Sequence, residues 1–149
     1  MTRTAAREIA VRAGFAMFES ELRPEPVIEE MFDKEYYATL AEEDEVFSSY
    51  PDEKQLEYIF ALIKGMWNHG AELDAYVEKY SQGWKFDRIS RTAVAIMKTA
   101  MYEMLYMPEI PDSAAINEAV ELAKKYEEQE TVGFINGVLG AFARSEAIY

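Results

Sequence analysis

The sequence predicts an all-α fold, a helical bundle of about seven helices, and three observations carry that expectation. Apolar residues recur at three- and four-residue spacing along the whole chain. Alternating strand-type patterns are nearly absent. Clusters of proline, glycine, aspartate and serine stand between the apolar runs, and these residues make turns and caps. At 149 residues, half of them hydrophobic, the chain can bury a core, and a single domain over 1–149 is expected.

The first run, from about Thr4 to Leu22, puts Ala6, Ile9, Ala10, Ala13 and Met17 on one face. Pro24 and Pro26 are expected to end it, because proline disfavours helix in the residue before it. A second helix is expected over about Val27 to Leu40, with Val27, Met31 and Tyr37 inward. Glu42 to Glu45 and Ser48 to Asp52 read as loop, and Asp52 is placed to cap the third helix. That helix carries Leu56, Ile59, Phe60, Ile63 and Trp67 at helical spacing. Gly70 marks a break near His69, before a stretch with Leu73, Tyr76, Val77 and Tyr80. Ser81, Gln82 and Gly83 form a turn.

The strongest pattern runs from about Asp87 to Tyr106, with Ile89, Ala93, Ile96, Met97, Ala100, Met101, Met104 and Leu105 inward. Pro108 and Pro111 stop it. Asp112 or Ser113 can cap the next helix, whose inward face is Ile116, Ala119, Val120 and Ala123. Thr131 can start the last helix, with Ile135, Val138, Leu139 and Phe142 inward.

The formal net charge is −13, and it is unevenly placed. Residues 1–18 hold three arginines and one glutamate, while residues 19–57 hold fourteen acids and three bases. So acidic a chain counts against nucleic-acid binding, but its basic amino end keeps that option open. Zero cysteines exclude a disulfide scaffold, a thiol nucleophile and a cysteine-ligated metal. No apolar run approaches the ~18–20 residues of a membrane span, and the start does not read as a signal peptide. A soluble cytoplasmic domain is therefore expected.

Chemistry of the enzymatic kind is hard to find. No glycine-rich phosphate loop, HExxH or calcium-loop pattern is present. His69, the one histidine, reads as a cap or a half-buried structural group. Met97, Met101 and Met104 read as core filling on one helix face. The expectation is a non-enzyme with no cofactor and no metal. The first helix is more informative. Arg3 and Arg7 lie one turn apart on a shoulder, so their heads can project together toward an anion. Phe15 falls almost opposite the inward stripe, beside Glu8, Arg12 and Glu19.

Ala115-Ile116-Asn117-Glu118-Ala119-Val120-Glu121-Leu122-Ala123-Lys124, followed by Phe134-Ile135-Asn136-Gly137-Val138-Leu139, resembles the paired signatures of the NusB transcription antitermination family. Upstream, Ala6 to Ala10 resembles the amino-terminal helix of that family. Gly65-Met66 with Leu73-Asp74 resembles its central helix, and Trp84 with Asp87-Arg88-Ile89 the segment after it.

This resemblance implies an all-helical fold of two sub-bundles. It implies a factor that pairs with NusE, a ribosomal small-subunit protein, and binds single-stranded boxA of nascent RNA in a transcription complex. By the same resemblance, RNA contacts fall to Arg3, Arg7 and Phe134, and Tyr80 with adjacent Lys79 matches another RNA-facing aromatic. The partner surface is expected at Phe15, where the family usually has tyrosine, with Arg12 and Glu19 beside it. Two departures stand out: the family's basic run is reduced here to Arg3, Arg7 and Arg12, and the acidic residue often found at Ala93 is absent. A helical protein adaptor with little RNA affinity is the alternative.

Overall fold

The computed structural model describes residues 1–149 apart from 82, 85–87 and 147–149, and of residues 18–20 it describes the helical backbone only. Among the described residues every regular element is helical, so the all-α expectation holds. The α-helices are α1 (Arg3–Ser20), α2 (Pro24–Met31), α3 (Lys34–Leu40), α4 (Glu53–Asn68), α5 (Gly70–Tyr80), α6 (Arg91–Tyr106), α7 (Asp112–Tyr126) and α8 (Gln129–Ser145), with a 3-10 turn at Glu45–Phe47. The chain divides into two units, Met1–Trp67 and Asn68–Tyr149. None of the described helices is long and apolar enough to cross a membrane.

In the first unit, α1 begins at Thr2, whose hydroxyl accepts the Ala5 N–H at 3.1 Å. Its inward face is the expected one: Ala6, Ile9, Ala10, Ala13 and Met17 are all buried. Gly14 allows a close approach of α4, since a Cβ there would lie 3.1 Å from Met66 Cε. The helix ends at Glu21 in the left-handed region, φ 55°. Pro24 and Pro26 do not close α1; they lie in the first turn of α2. Proline suits that position because the first N–H groups of a helix lack intrahelical partners and its φ is already helical.

The helix expected over Val27 to Leu40 is two helices, which makes eight α-helices among the described residues in place of about seven. The break falls at Phe32 and Asp33. Asp33 is extended, and its carboxylate accepts the Tyr36 N–H at 3.1 Å, starting a new helix. Asp52 caps α4 as expected, and Gln55 reciprocates. The Gln55 N–H donates to Asp52 Oδ1 at 2.9 Å, while the Asp52 N–H donates to Gln55 Oε1 at 2.8 Å. The buried face of α4 is Ile59, Leu62, Ile63 and Met66, and Trp67 is 42% exposed. Trp67 follows Met66 by one residue, a turn of 100° that carries it off the stripe.

In the second unit, α6 is buried on nearly every side from Ala93 to Met101 and packs against α5, α7 and α8. Ser90 caps it, accepting the Ala93 N–H at 3.0 Å, so the helix begins at Arg91; the expected start at Asp87 lies outside the described residues. Burial on all sides encloses Lys98, whose Nζ lies 2.9 Å from Asp74 Oδ1 on α5. The inward face of α7 is Ala115, Ala119, Leu122 and Ala123, with Ile116 and Val120 half-buried beside it. That face is rotated from the expected one because α7 meets both α6 and α8. Pro111 precedes α7, and neither Asp112 nor Ser113 caps it. The face of α8 is the expected Ile135, Val138, Leu139 and Phe142.

Candidate nucleic-acid and partner surfaces

In the first unit, α1 and α4 bring the two arginines onto one ring. The Arg3 guanidinium lies 4.5 Å from the Tyr58 ring centroid, and that of Arg7 lies 5.9 Å away. They differ in access. Arg3 is exposed, whereas Arg7 is only 5% exposed because its stem lies beside the inward stripe of α1. The joint projection toward an anion is thus realised at Arg3, with Arg7 packed beneath.

Phe15 turns away from the α1 stripe, but a groove covers it in part. It lines a cavity of about 480 Å³ with Leu22, Val27, Met31, Tyr36 and Leu40, and Glu30 and Glu43 border it. Arg12 also lines this groove. Its Nη1 lies 3.0 Å from Asp44 Oδ2, and its guanidinium sits 5.1 Å from the Phe47 ring centroid. The Glu19 side chain lies outside the described residues. Leu22 and Tyr36, each 42% exposed, extend the apolar surface at the groove. Sequence reading passes over both because neither sits on a periodic stripe.

In the second unit, Phe134 of α8 is half-buried and stacks on Trp84, with ring centroids 4.5 Å apart and planes 33° apart. Trp84 is 37% exposed. Tyr80 belongs to a different cluster. Its ring meets the Phe142 ring edge-on at 6.1 Å, and its hydroxyl donates to Glu146. Lys79 Nζ also donates to Glu146 Oε2, at 2.6 Å. Those two hydrogen bonds, that from Lys79 first, hold the Glu146 carboxyl below its ordinary value. Lys79 and Tyr80 are therefore brought together through Glu146, while Phe134 stands two turns back along α8, roughly 12 Å from Phe142. His69 begins α5 with no side-chain cap and stacks on Tyr106 at 4.3 Å. Its role is packing.

The chemistry of the two units differs. An exposed guanidinium held on a ring can neutralise a phosphate, and a half-exposed aromatic pair can stack an unpaired base. A family model described as the NusB family matches residues 4–144. The transcription antitermination protein NusB of Thermoanaerobacter sp. (strain X514) is 38% identical over 148 residues, covering 99% of this chain and 94% of that protein. The protein of the same name from Symbiobacterium thermophilum is 33% identical over 147 residues, covering 97% of this chain and 90% of its own. The one from Acetivibrio thermocellus is 48% identical over 89 residues, a match spanning 60% of this chain and 61% of that protein. A solved structure of T. maritima NusB superposes with a TM-score of 0.81 at 26% identity, over 99% of this chain and 94% of that one. With the family model running across both units and full-length relatives beside it, this chain belongs to the NusB family.

Proposed function

We propose that this chain is a transcription antitermination factor that pairs with NusE and binds boxA single-stranded RNA within a cytoplasmic transcription complex. The observation that carries the RNA reading is the stacked pair at Phe134, half-exposed and free of any need for surrounding positive charge. Single-stranded RNA is recognised largely by bases splayed onto such rings. Arg3 on Tyr58 adds an electrostatic contact in a chain that otherwise repels phosphate. For the partner, Phe15 lies in an apolar groove whose other walls come mostly from the acidic stretch 19–57, with Glu30 and Glu43 at its border, which suits a basic partner bearing an apolar anchor.

The test is titration of boxA-like RNA into the protein with and without NusE. Weak binding alone and tight binding with NusE are expected. Phe15→Asp should weaken NusE binding at least tenfold, as loss of a buried anchor costs ~2 kcal/mol or more, while leaving RNA contacts of the second unit in place. Absence of RNA binding by the complex, with NusE still bound, would favour the adaptor reading; the net charge of −13, with only three arginines in the basic amino end, is the observation behind that alternative.

A further inference from the structure

We infer that Trp84, rather than Phe134, presents the ring on which an unpaired nucleobase stacks, and that Phe134 supports it from behind. This rests on the RNA reading above and assigns the contact within it. Phe134 is half-buried on α8, next to the fully buried Ile135, and Trp84 occupies one side of its ring. Trp84 is the more exposed of the two.

An exposed tryptophan alone is unremarkable. Trp84 differs in how it is held. Its backbone N–H donates to the Ser81 carbonyl at 3.0 Å, closing a turn onto the end of α5. Ser81 is itself buried, and its hydroxyl donates to the Glu78 carbonyl at 3.2 Å. Gly83 supplies the positive φ of 82° that this turn requires, a conformation glycine adopts without strain. The backbone that carries the indole is thus held by a turn and the indole itself by the Phe134 ring, so less side-chain freedom is lost when a base arrives. The face of α8 around Phe134 is also uncrowded among the described residues. Gly133 precedes Phe134 and Gly137 follows one turn later, and among the described residues a Cβ at either would meet nothing within 4 Å.

Stacking on an indole needs no particular base and no counterion release, so this contact is expected to tolerate base changes and salt. The experiment uses the protein with NusE and a boxA-like RNA, in a Trp67→Phe background that leaves Trp84 as the chain's remaining tryptophan. RNA should quench the Trp84 fluorescence, judged against the same titration of the Trp67→Phe, Trp84→Phe protein. Trp84→Leu should weaken RNA binding about tenfold or more without changing its salt slope or the melting temperature appreciably. Trp84→Phe should retain most of the affinity, and Phe134→Leu should cost less than Trp84→Leu. Wild-type affinity in Trp84→Leu, with no quenching, would overturn the assignment while leaving RNA binding intact. A larger loss from Phe134→Leu would reverse the two roles. No RNA binding by the unmutated complex would remove the RNA reading and this assignment with it.

Discussion

The first unit, Met1–Trp67, joins two long helices to three short elements, whereas the second, Asn68–Tyr149, wraps three helices around one. The short elements of the first unit bury Phe32, Tyr37 and Phe47 in an aromatic cluster, and side chains there also bond the backbone. The Tyr37 hydroxyl donates to the Ser49 carbonyl at 2.9 Å, that of Tyr50 donates to the Phe32 carbonyl at 2.6 Å, and Asp33 and Asp44 cap their own elements. In the second unit, α6 is enclosed, and apolar burial does most of the work. The surfaces divide in a parallel way. The exposed Arg3 guanidinium seated on Tyr58 lies on the first unit, and the pair of exposed Trp84 and half-buried Phe134 lies on the second. Under the proposed RNA reading, the electrostatic contact falls to the first unit and the stacking contact to the second.

The largest effect should come from the second unit. Leu122→Asp would place a charge among α6, α7 and α8, a cost of several kcal/mol, and should abolish cooperative melting by circular dichroism. Ile116→Asp, on the half-buried flank of the same helix, should melt lower but still cooperatively. Equal behaviour of the two would show that α7 faces inward differently from the structure.

A smaller effect is expected in the first unit. The double change Tyr37→Phe, Tyr50→Phe removes two hydroxyl-to-carbonyl bonds and should cost about 2 kcal/mol in denaturant unfolding, at ~1 kcal/mol each. A wild-type midpoint would mean that apolar burial holds the short elements without them.

The smallest effect is a pH dependence. Glu146 is held below its ordinary 4.5 by hydrogen bonds from Lys79 and Tyr80. A depressed carboxyl contributes stability that is present above its unfolded value and lost as pH falls through the folded one. Melting temperature should therefore decline slightly below about pH 4.5 through this group, and Glu146→Gln should flatten that part of the profile. An unchanged profile in the variant would assign the decline to other carboxylates.

Helices that bury a single face were legible in the sequence. The stripe of α8 matches the 3.6-residue pattern because that helix has one wet side, whereas in α1 the pattern finds the inward stripe but not that Arg7, Glu8 and Val11 are buried beside it. The pattern misplaces the phase of α7, which meets two helices, and gives α4 a stripe that ends one residue too far, at Trp67. It also runs through Phe32 and Asp33, because a cap embedded in apolar spacing interrupts a helix without disturbing the period. At the candidate site, Phe134 is marked by its motif, but its partner is fifty residues away, and no local signal pairs it with Trp84. Helical phase places Arg3 and Arg7 together correctly, yet it cannot show that Tyr58 and the α1 stripe bury one and leave the other open.

The division between charge and stacking is tested most directly by RNA affinity of the NusE complex measured across several salt concentrations. Each phosphate neutralised on single-stranded RNA contributes about 0.7 to the slope of log affinity against log salt. Arg3→Ala should therefore make the slope shallower by about 0.7. Trp84→Leu should lower affinity at every salt concentration and leave the slope unchanged. A slope untouched by Arg3→Ala but reduced by Trp84→Leu would contradict the division and place the phosphate contact on the second unit.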